Sequence, residues 1–249
     1  MEPEARWIKP AAQQSQQTVE GRRILESVID RDDRVQVPIT DVMPWSTVCA
    51  LRITAQSGLK FVGTGCLVSA RLVLTAGHCV FDTEQGGWPK FIEVIPGCNE
   101  GYQPAGSCFS SEFRTVRGWM EMESSTHDYG AIVLPQNCRF GDVQGFLGVA
   151  EISRDLILRT ELTLTGYPLD KPRGTQWTQT KSPGSLNGRT LTYAIDTEGG
   201  QSGSPLWCFA GGERYVVAIH TSGGAGRNFA VKIDNEVFRN ILLWIREAA

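Results

Sequence analysis

Short apolar runs broken by glycine, proline and small polar residues fill most of the chain. Runs at 47–53, 61–69, 71–76 and 91–95 are rich in Val, Ile, Leu and Thr, and residues 129–134 form an unbroken apolar stretch. A second block of runs covers 156–165, 190–195, 205–209, 215–220 and 228–233. Runs of this length and composition predict β-strands, and the unbroken one reads as a strand buried on both faces. The two blocks are of similar size, join near 135–148 and share no residue-level repeat. The period changes only at the end, where Val237, Ile241, Leu242 and Ile245 recur at helical spacing with Phe238 and Trp244 alongside. Asp234 stands where an N-cap belongs, predicting one terminal amphipathic helix docked on a β body.

The first 26 residues fit neither pattern. They are polar, with Gln13, Gln14, Gln16 and Gln17, and lack the apolar core of a secretory signal. They read as a solvated leader, followed by a short apolar pattern near Val28. With 249 residues the chain can bury sizeable cores, and the 27 glycines and 12 prolines suit many turns. A net charge of −3 with no basic stripe gives no reason to expect a nucleic-acid partner. No apolar run reaches the ~18 residues of a membrane-spanning helix, so no membrane partner is expected.

Seven cysteines, an odd number, leave at least one thiol unpaired, and none sits in a C-x-x-C pair that would suggest zinc. Cys98 and Cys108 flank a short Gly- and Pro-containing loop, which favours a local disulfide. Cys66 and Cys79 sit at the ends of a hairpin pattern, where pairing is also open. Disulfides would imply an oxidising compartment.

Three motifs carry chemistry. Gly199-Gly200-Gln201-Ser202-Gly203-Ser204-Pro205 surrounds a serine with glycines, which permit a sharp turn and aim backbone N–H groups at one point. Thr75-Ala76-Gly77-His78-Cys79 closes an apolar strand with one of only three histidines, beside small residues that leave room for an imidazole to face a cleft. His127-Asp128-Tyr129-Gly130-Ala131-Ile132 opens the buried run with a carboxylate, a costly placement unless paired. Each motif alone has an ordinary explanation: a Gly/Ser loop, a structural histidine, a surface Asp. Together, in the order His, Asp, Ser, they match one of the convergent serine-nucleophile designs.

These motifs resemble those of the chymotrypsin-like serine proteases, and most closely the staphylococcal and bacillary glutamyl endopeptidases. The resemblance extends to Ser27-Val28-Ile29 with Asp32-Asp33-Arg34, similar to that family's mature N-terminus. It continues through Pro96-Gly97, Tyr102-Gln103-Pro104, Gly166-Tyr167-Pro168, Gly174-Thr175-Gln176-Trp177 and His220-Thr221. It implies an all-β fold of two six-stranded antiparallel β-barrels with a C-terminal α-helix. The implied organisation is a pro-segment at 1–26, a first barrel at 27–140 and a second at 141–249. It implies Ser202 as nucleophile, His78 as general base and then acid, Asp128 as the group that orients His78, and the N–H groups of Gly200 and Ser202 as the oxyanion hole. Ser204 precedes a proline, whereas the family's reactive serine precedes the glycine. A specificity pocket for Glu, and less readily Asp, would use Thr197, His220 and Thr221, joined by Ser27 and Val28 once Glu26–Ser27 is cut.

The resemblance further implies a secreted monomer acting on proteins or peptides with acidic residues, without cofactor or catalytic metal. Gly63 stands where this family pattern has the partner of the cysteine after the histidine, and Leu162 where it has the partner of Cys208. Cys208 is therefore expected to be free or to pair unexpectedly. His127 is expected to face solvent.

Overall fold

The computed structural model describes residues 31–224 and 226–249, Ser27 to Ile29, and the backbone of Ala5–Ile8. The remainder of the proposed pro-segment, including Glu26, lies outside the described residues.

Two antiparallel barrels account for the two blocks of apolar runs. In the first, the pairing order is Cys108–Ser110, Phe91–Pro96, Val48–Thr54, Lys60–Leu67, Leu72–Thr75, Gly130–Val133, Glu112–Thr115. Only Ser111 separates the first and last of these, so they are one bent strand whose halves pair with different neighbours, and six strands close a barrel. The second barrel closes the same way: Pro183–Asn187, Thr190–Tyr193, Arg227–Lys232, Glu213–Gly224, Pro205–Ala210, Leu162–Gly166 and Trp177–Lys181, with Ser182 at the bend. Val35–Gln36 adds to the edge of Trp177–Lys181. Gly148–Ile152 runs parallel to Glu213–Gly224, and Ala5–Ile8 pairs antiparallel with it. That last pairing corrects the expectation of a wholly solvated leader.

Alternation along the strands fills each barrel. Leu51, Leu67, Val73, Ile92, Val94 and Ile132 meet inside the first; Leu164, Leu186, Leu191, Leu206 and Val217 meet inside the second. A third cluster joins the barrels: Leu72, Leu74 and Tyr129 from one and Val216, Ile219 and Val231 from the other pack against Val237, Phe238, Ile241 and Trp244. These four lie on the helix Asn235–Glu247, where the Asp234 side chain accepts from the N–H groups of Glu236 and Val237, as the sequence predicts. Buried Arg71 clamps the helix end, donating to the carbonyls of Leu134 and Ala248 at 2.9 Å each.

Two expectations require correction, and the open questions about Cys66, Cys79 and Cys208 are answered. The run 156–165 is not one strand: Ser153 caps a helical turn, Arg154–Ile157, and the strand is Leu162–Gly166. Cys98 and Cys108 do not pair; the disulfide is Cys108–Cys138. Cys98 turns into a cluster with Val48, Ile95 and Tyr167, whereas Cys108 points into the first barrel. Cys66 and Cys79 are also unpaired, because they serve different cores: Cys66 faces the inter-barrel cluster and Cys79 the barrel interior. Cys208 is a free thiol buried in the second barrel.

Candidate active site

Strand register brings His78 and Asp128 together. Leu72–Thr75 and Gly130–Val133 are neighbours, with Thr75 opposite Gly130, so the residues just after one strand and just before the other emerge at the same end. His78 sits in the single helical turn Gly77–Val80. Asp128 holds it twice: one carboxylate oxygen accepts from the His78 backbone N–H at 2.9 Å, and the other lies 2.8 Å from Nδ1. Both side chains are about nine-tenths buried. Burial opposes the imidazolium, but the charge and hydrogen bond of Asp128 outweigh it, and the His78 pKa lies well above the ordinary histidine value. His78 Nε2 is buried without a hydrogen-bond partner among the described residues. Trp119 packs edge-on against the imidazole, with ring centroids 6.2 Å apart, and donates its Nε1–H to the Phe81 carbonyl.

Ser202 comes from the second barrel and lines one cavity with His78, Gly199 and Gly200. Ser204 is wholly buried instead. The turn requires its glycines. Gly203 has φ +85°, and a Cβ there would stand 2.1 Å from Thr75 Oγ1 and 2.2 Å from the Thr64 carbonyl oxygen. Gly200 has φ +94°, and a Cβ there would lie 2.4 Å from the Tyr167 carbonyl oxygen.

Buried Thr64, which no sequence signal marks, ties this loop to the first barrel. Its N–H donates to the Ser202 carbonyl at 2.8 Å and its hydroxyl to the Gly200 carbonyl at 2.8 Å, while it accepts from the Tyr167 N–H. The Gly200 N–H has no acceptor among the described residues.

The other expected residues lie deeper. Thr197 and His220 are both 0 % exposed. His220 Nδ1 is 2.5 Å from the Tyr193 hydroxyl, and its carbonyl accepts from the Gly203 N–H. Thr197 Oγ1 is buried without a partner among the described residues, and the Thr197 N–H donates to the Ser27 carbonyl at 3.1 Å. Asn228 grips Ser27 from the other side, accepting from its N–H at 3.1 Å and donating to its carbonyl at 2.7 Å. Thr221 is buried, with its hydroxyl toward the Phe229 carbonyl, and Val28 is exposed. His127 packs against Gly118 and meets Ser124 and Thr126, outside the cavity.

A charge cluster that sequence reasoning missed ties the segment after Ser27 to the serine loop. Buried Arg34 pairs with Asp32 at 2.9 Å and Asp170 at 2.5 Å, and donates to Gln201 Oε1 at 3.1 Å. The same oxygen accepts from the Glu198 N–H. Asp196, with no exposed side-chain surface, takes the Ile29 N–H and the Gln179 amide at 2.6 Å each.

Comparison with known proteins gives concordant results. The family model described as Trypsin matches residues 37–245. A protein of Bacillus licheniformis named glutamyl endopeptidase is 34% identical over 232 residues, covering 90% of this chain and 71% of that one. A Bacillus subtilis protein named extracellular metalloprotease is 35% identical over 223 residues, 89% of this chain and 70% of that one. Among the described residues, no group of three or more His, Cys, Asp or Glu side chains is placed to hold a metal ion. A solved Glu endopeptidase structure superposes with a TM-score of 0.79 at 25% identity, covering 88% of this chain and 99% of that one.

Proposed function

This chain belongs to the trypsin family of chymotrypsin-like serine proteases and is related to glutamyl endopeptidases, and from that premise we propose that it is a secreted, monomeric endopeptidase cleaving after Glu, and less readily after Asp, through Ser202, His78 and Asp128. The observation that carries this reading is the double hold of Asp128 on His78 beside Ser202 in one cavity. Asp128 keeps the proton on Nδ1, leaving Nε2 to take the Ser202 hydroxyl proton as Oγ attacks the scissile carbonyl. The N–H groups of Gly200 and Ser202 receive the negative oxygen; losing one such donor typically costs about 3 kcal/mol of transition-state stabilisation. His78 then returns the proton to the leaving amine, and water, deprotonated by the same nitrogen, releases the acyl group from Ser202.

Acidic specificity is assigned to Thr197, His220 and Thr221. An ionised Glu entering a pocket loses water and needs donors in exchange. The Tyr193 hydroxyl lies 2.5 Å from His220 Nδ1 and also reaches the Phe229 carbonyl at 3.1 Å; if it donates to that carbonyl, His220 Nδ1 donates to Tyr193, and Nε2 carries a hydrogen for the substrate carboxylate in the imidazolium form. The Ser27 N–H and carbonyl lie against Asn228 and Thr197. Cleavage of Glu26–Ser27 would therefore free an ammonium beside these residues and add positive charge to the pocket. One relative is named extracellular, and no helix among the described residues is long and apolar enough to cross a membrane.

The test is a peptide panel varied only at the residue before the cut, with fluorophosphonate labelling and a Ser202→Ala control. Cleavage after Glu with labelling of Ser202 is expected. A preference for Leu or Arg would overturn the acidic pocket, and loss of both cleavage and labelling would leave a binding homologue. N-terminal sequencing after incubation tests the processing step. Wild-type protein that remains intact yet fully active would refute it.

A further inference from the structure

The peptide plane between Gly199 and Gly200 carries one of the two proposed oxyanion donors, the Gly200 N–H. It is flanked by the residues least able to hold a plane in place. Glycine on each side lets the plane rotate about ψ of Gly199 and φ of Gly200 at little steric cost. A Cβ built at Gly199 would meet nothing closer than Leu169 Cδ1, at 3.5 Å. A half-turn of the plane would exchange the N–H for the carbonyl oxygen, and the developing negative charge on a substrate would then face the wrong end of the peptide dipole. A group outside the loop must therefore fix the plane.

One hydrogen bond acts directly on it. The Leu169 N–H donates to the Gly199 carbonyl at 2.7 Å. The Gly199–Gly200 peptide is trans, so its C=O and N–H point in opposite directions. With the carbonyl drawn to Leu169, the Gly200 N–H is turned away from Leu169, and it meets no acceptor among the described residues. Gly199 and Gly200 both line the cavity that holds Ser202 and His78. The other holds on these glycines belong to the neighbouring planes: the Gly199 N–H donates to the Glu198 carboxylate, and the Gly200 carbonyl accepts from Thr64, each at 2.8 Å.

Leu169 is itself braced on both sides. The Tyr167 N–H donates to Thr64 Oγ1 at 3.1 Å, and the Tyr167 hydroxyl donates to the Val48 carbonyl at 3.1 Å. Asp170 pairs with buried Arg34 at 2.5 Å. The first barrel and the segment ending at Arg34 thus fix the stretch that presents the Leu169 N–H, while the Leu169 side chain is 36% exposed.

We propose that Leu169 is a positioning residue for the reaction: its backbone N–H holds the Gly199–Gly200 peptide in the orientation that offers the Gly200 N–H to the oxyanion. The inference rests on the endopeptidase reading and deepens it, by naming what sets that donor before substrate arrives. Negative charge at the Gly200 N–H polarises the same peptide and makes its carbonyl a better acceptor, so the oxyanion bond and the Leu169 bond strengthen each other.

The experiment compares three forms of the chain on the best peptide of the panel. They are the parent, Leu169→Ala, and an ester analogue with the α-hydroxy acid of leucine at position 169, which replaces the N–H by oxygen and keeps the side chain. The ester form is expected to lose about tenfold in kcat, the scale of a carbonyl left without its donor. Its KM should stay within about twofold of the parent, because the bond matters in the transition state and not in the bound substrate. Inhibition by a peptide boronate, whose tetrahedral adduct on Ser202 places an oxygen at the same donors, should weaken by the same factor as kcat. Leu169→Ala keeps the N–H and should match the parent in kcat. A second measurement needs no altered chain and decides the matter even where the ester form fails to fold: in the parent, the Leu169 amide should exchange with solvent more slowly once the boronate occupies Ser202. An ester form with the parent's kcat, a loss confined to KM, an equal loss in Leu169→Ala, or amide exchange unmoved by the boronate overturns the role of Leu169 alone. A parent that cuts no peptide overturns the endopeptidase reading and this role with it.

Discussion

Replacing Arg34 with methionine removes the cation at the centre of a buried cluster while preserving much of its bulk. The Arg34 side chain is 1% exposed and joins Asp32, Asp170 and Gln201. Removing one partner of a buried ion pair leaves the other charge uncompensated and typically costs about 3–5 kcal/mol. Lys171 still reaches Asp32 and Asp170, which places the expected loss near the lower bound, about 3 kcal/mol. At ~2–4 °C per kcal/mol for a chain of this size, melting should fall by roughly 6–12 °C. Gln201 immediately precedes the proposed nucleophile and would keep only the Glu198 N–H of its two donors. The expected fall in kcat/KM is about tenfold, smaller than the ~10²–10³ of a lost oxyanion donor.

Acid should narrow the stability difference. The Arg34 hydrogen bond, against an opposing burial effect and with help from Lys171, holds the Asp32 carboxyl well below the ordinary carboxylate range. A carboxyl depressed on folding contributes stability above its unfolded value of ~3.9, and that contribution is lost as pH falls toward the folded value. Circular-dichroism melts at pH 7 and pH 3, in a Ser202→Ala background that prevents self-digestion, measure stability; peptide kinetics measure the rest. An Arg34→Met protein that melts within about 2 °C of its parent and retains its kcat/KM would refute the coupling.

Two further predictions follow from the site and the disulfide. Asp128→Asn should lower kcat by roughly 10⁴. Because the base acts when neutral and its pKa is raised, the acid limb of kcat/KM against pH should lie above the ordinary ~6.5 in the parent and move to lower pH in the variant. Cys108–Cys138 closes a loop with sequence separation 30, worth about 3.6 kcal/mol in chain entropy, so the double Ser variant should melt roughly 7–14 °C lower. An unchanged midpoint in that variant would contradict the assignment.

What the sequence reveals depends on how densely each element packs. The helix was readable because its stripe is regular and Asp234 caps it. The meeting of His78 and Asp128 was readable because each flanks a wholly buried strand, Leu72–Thr75 and Gly130–Val133. Trp177–Lys181 and Pro183–Asn187 were not, because each buries a single residue, the polar Gln179 in one and Leu186 in the other, and exposes Thr180, Ser185 and Asn187 elsewhere. Ser153 did carry a capping signal, but Leu156 and Ile157 beside it looked like the start of a strand. The disulfide was hidden for another reason. Cys108 and Cys138 lie 6.4 Å apart only because the bent strand carries one toward the other, whereas the loop proximity of Cys98 and Cys108 ignores which way each side chain turns.

The roles of Thr64 and Arg34 were hidden for a related reason: the contacts that tie them to the serine loop, Thr64 to Gly200 and Ser202 and Arg34 to Gln201, join residues more than 130 positions apart. Yet together they place the supports of the site. Thr64 holds the backbone of Gly200 and Ser202 from the first barrel. The segment 27–34 holds the same loop from the other side, through Ser27 at Thr197, Ile29 at Asp196 and Arg34 at Gln201. The hold of Asp128 on His78 lies wholly within the first barrel and uses none of these contacts. The proposed base is therefore built independently of the chain's N-terminal segment, while the proposed pocket and the loop bearing Ser202 are not. A cut at Glu26–Ser27 would act through Ser27 on Thr197 and Asn228 and leave the His78–Asp128 pair intact, so the proposed processing would bear on substrate choice before it would bear on proton transfer.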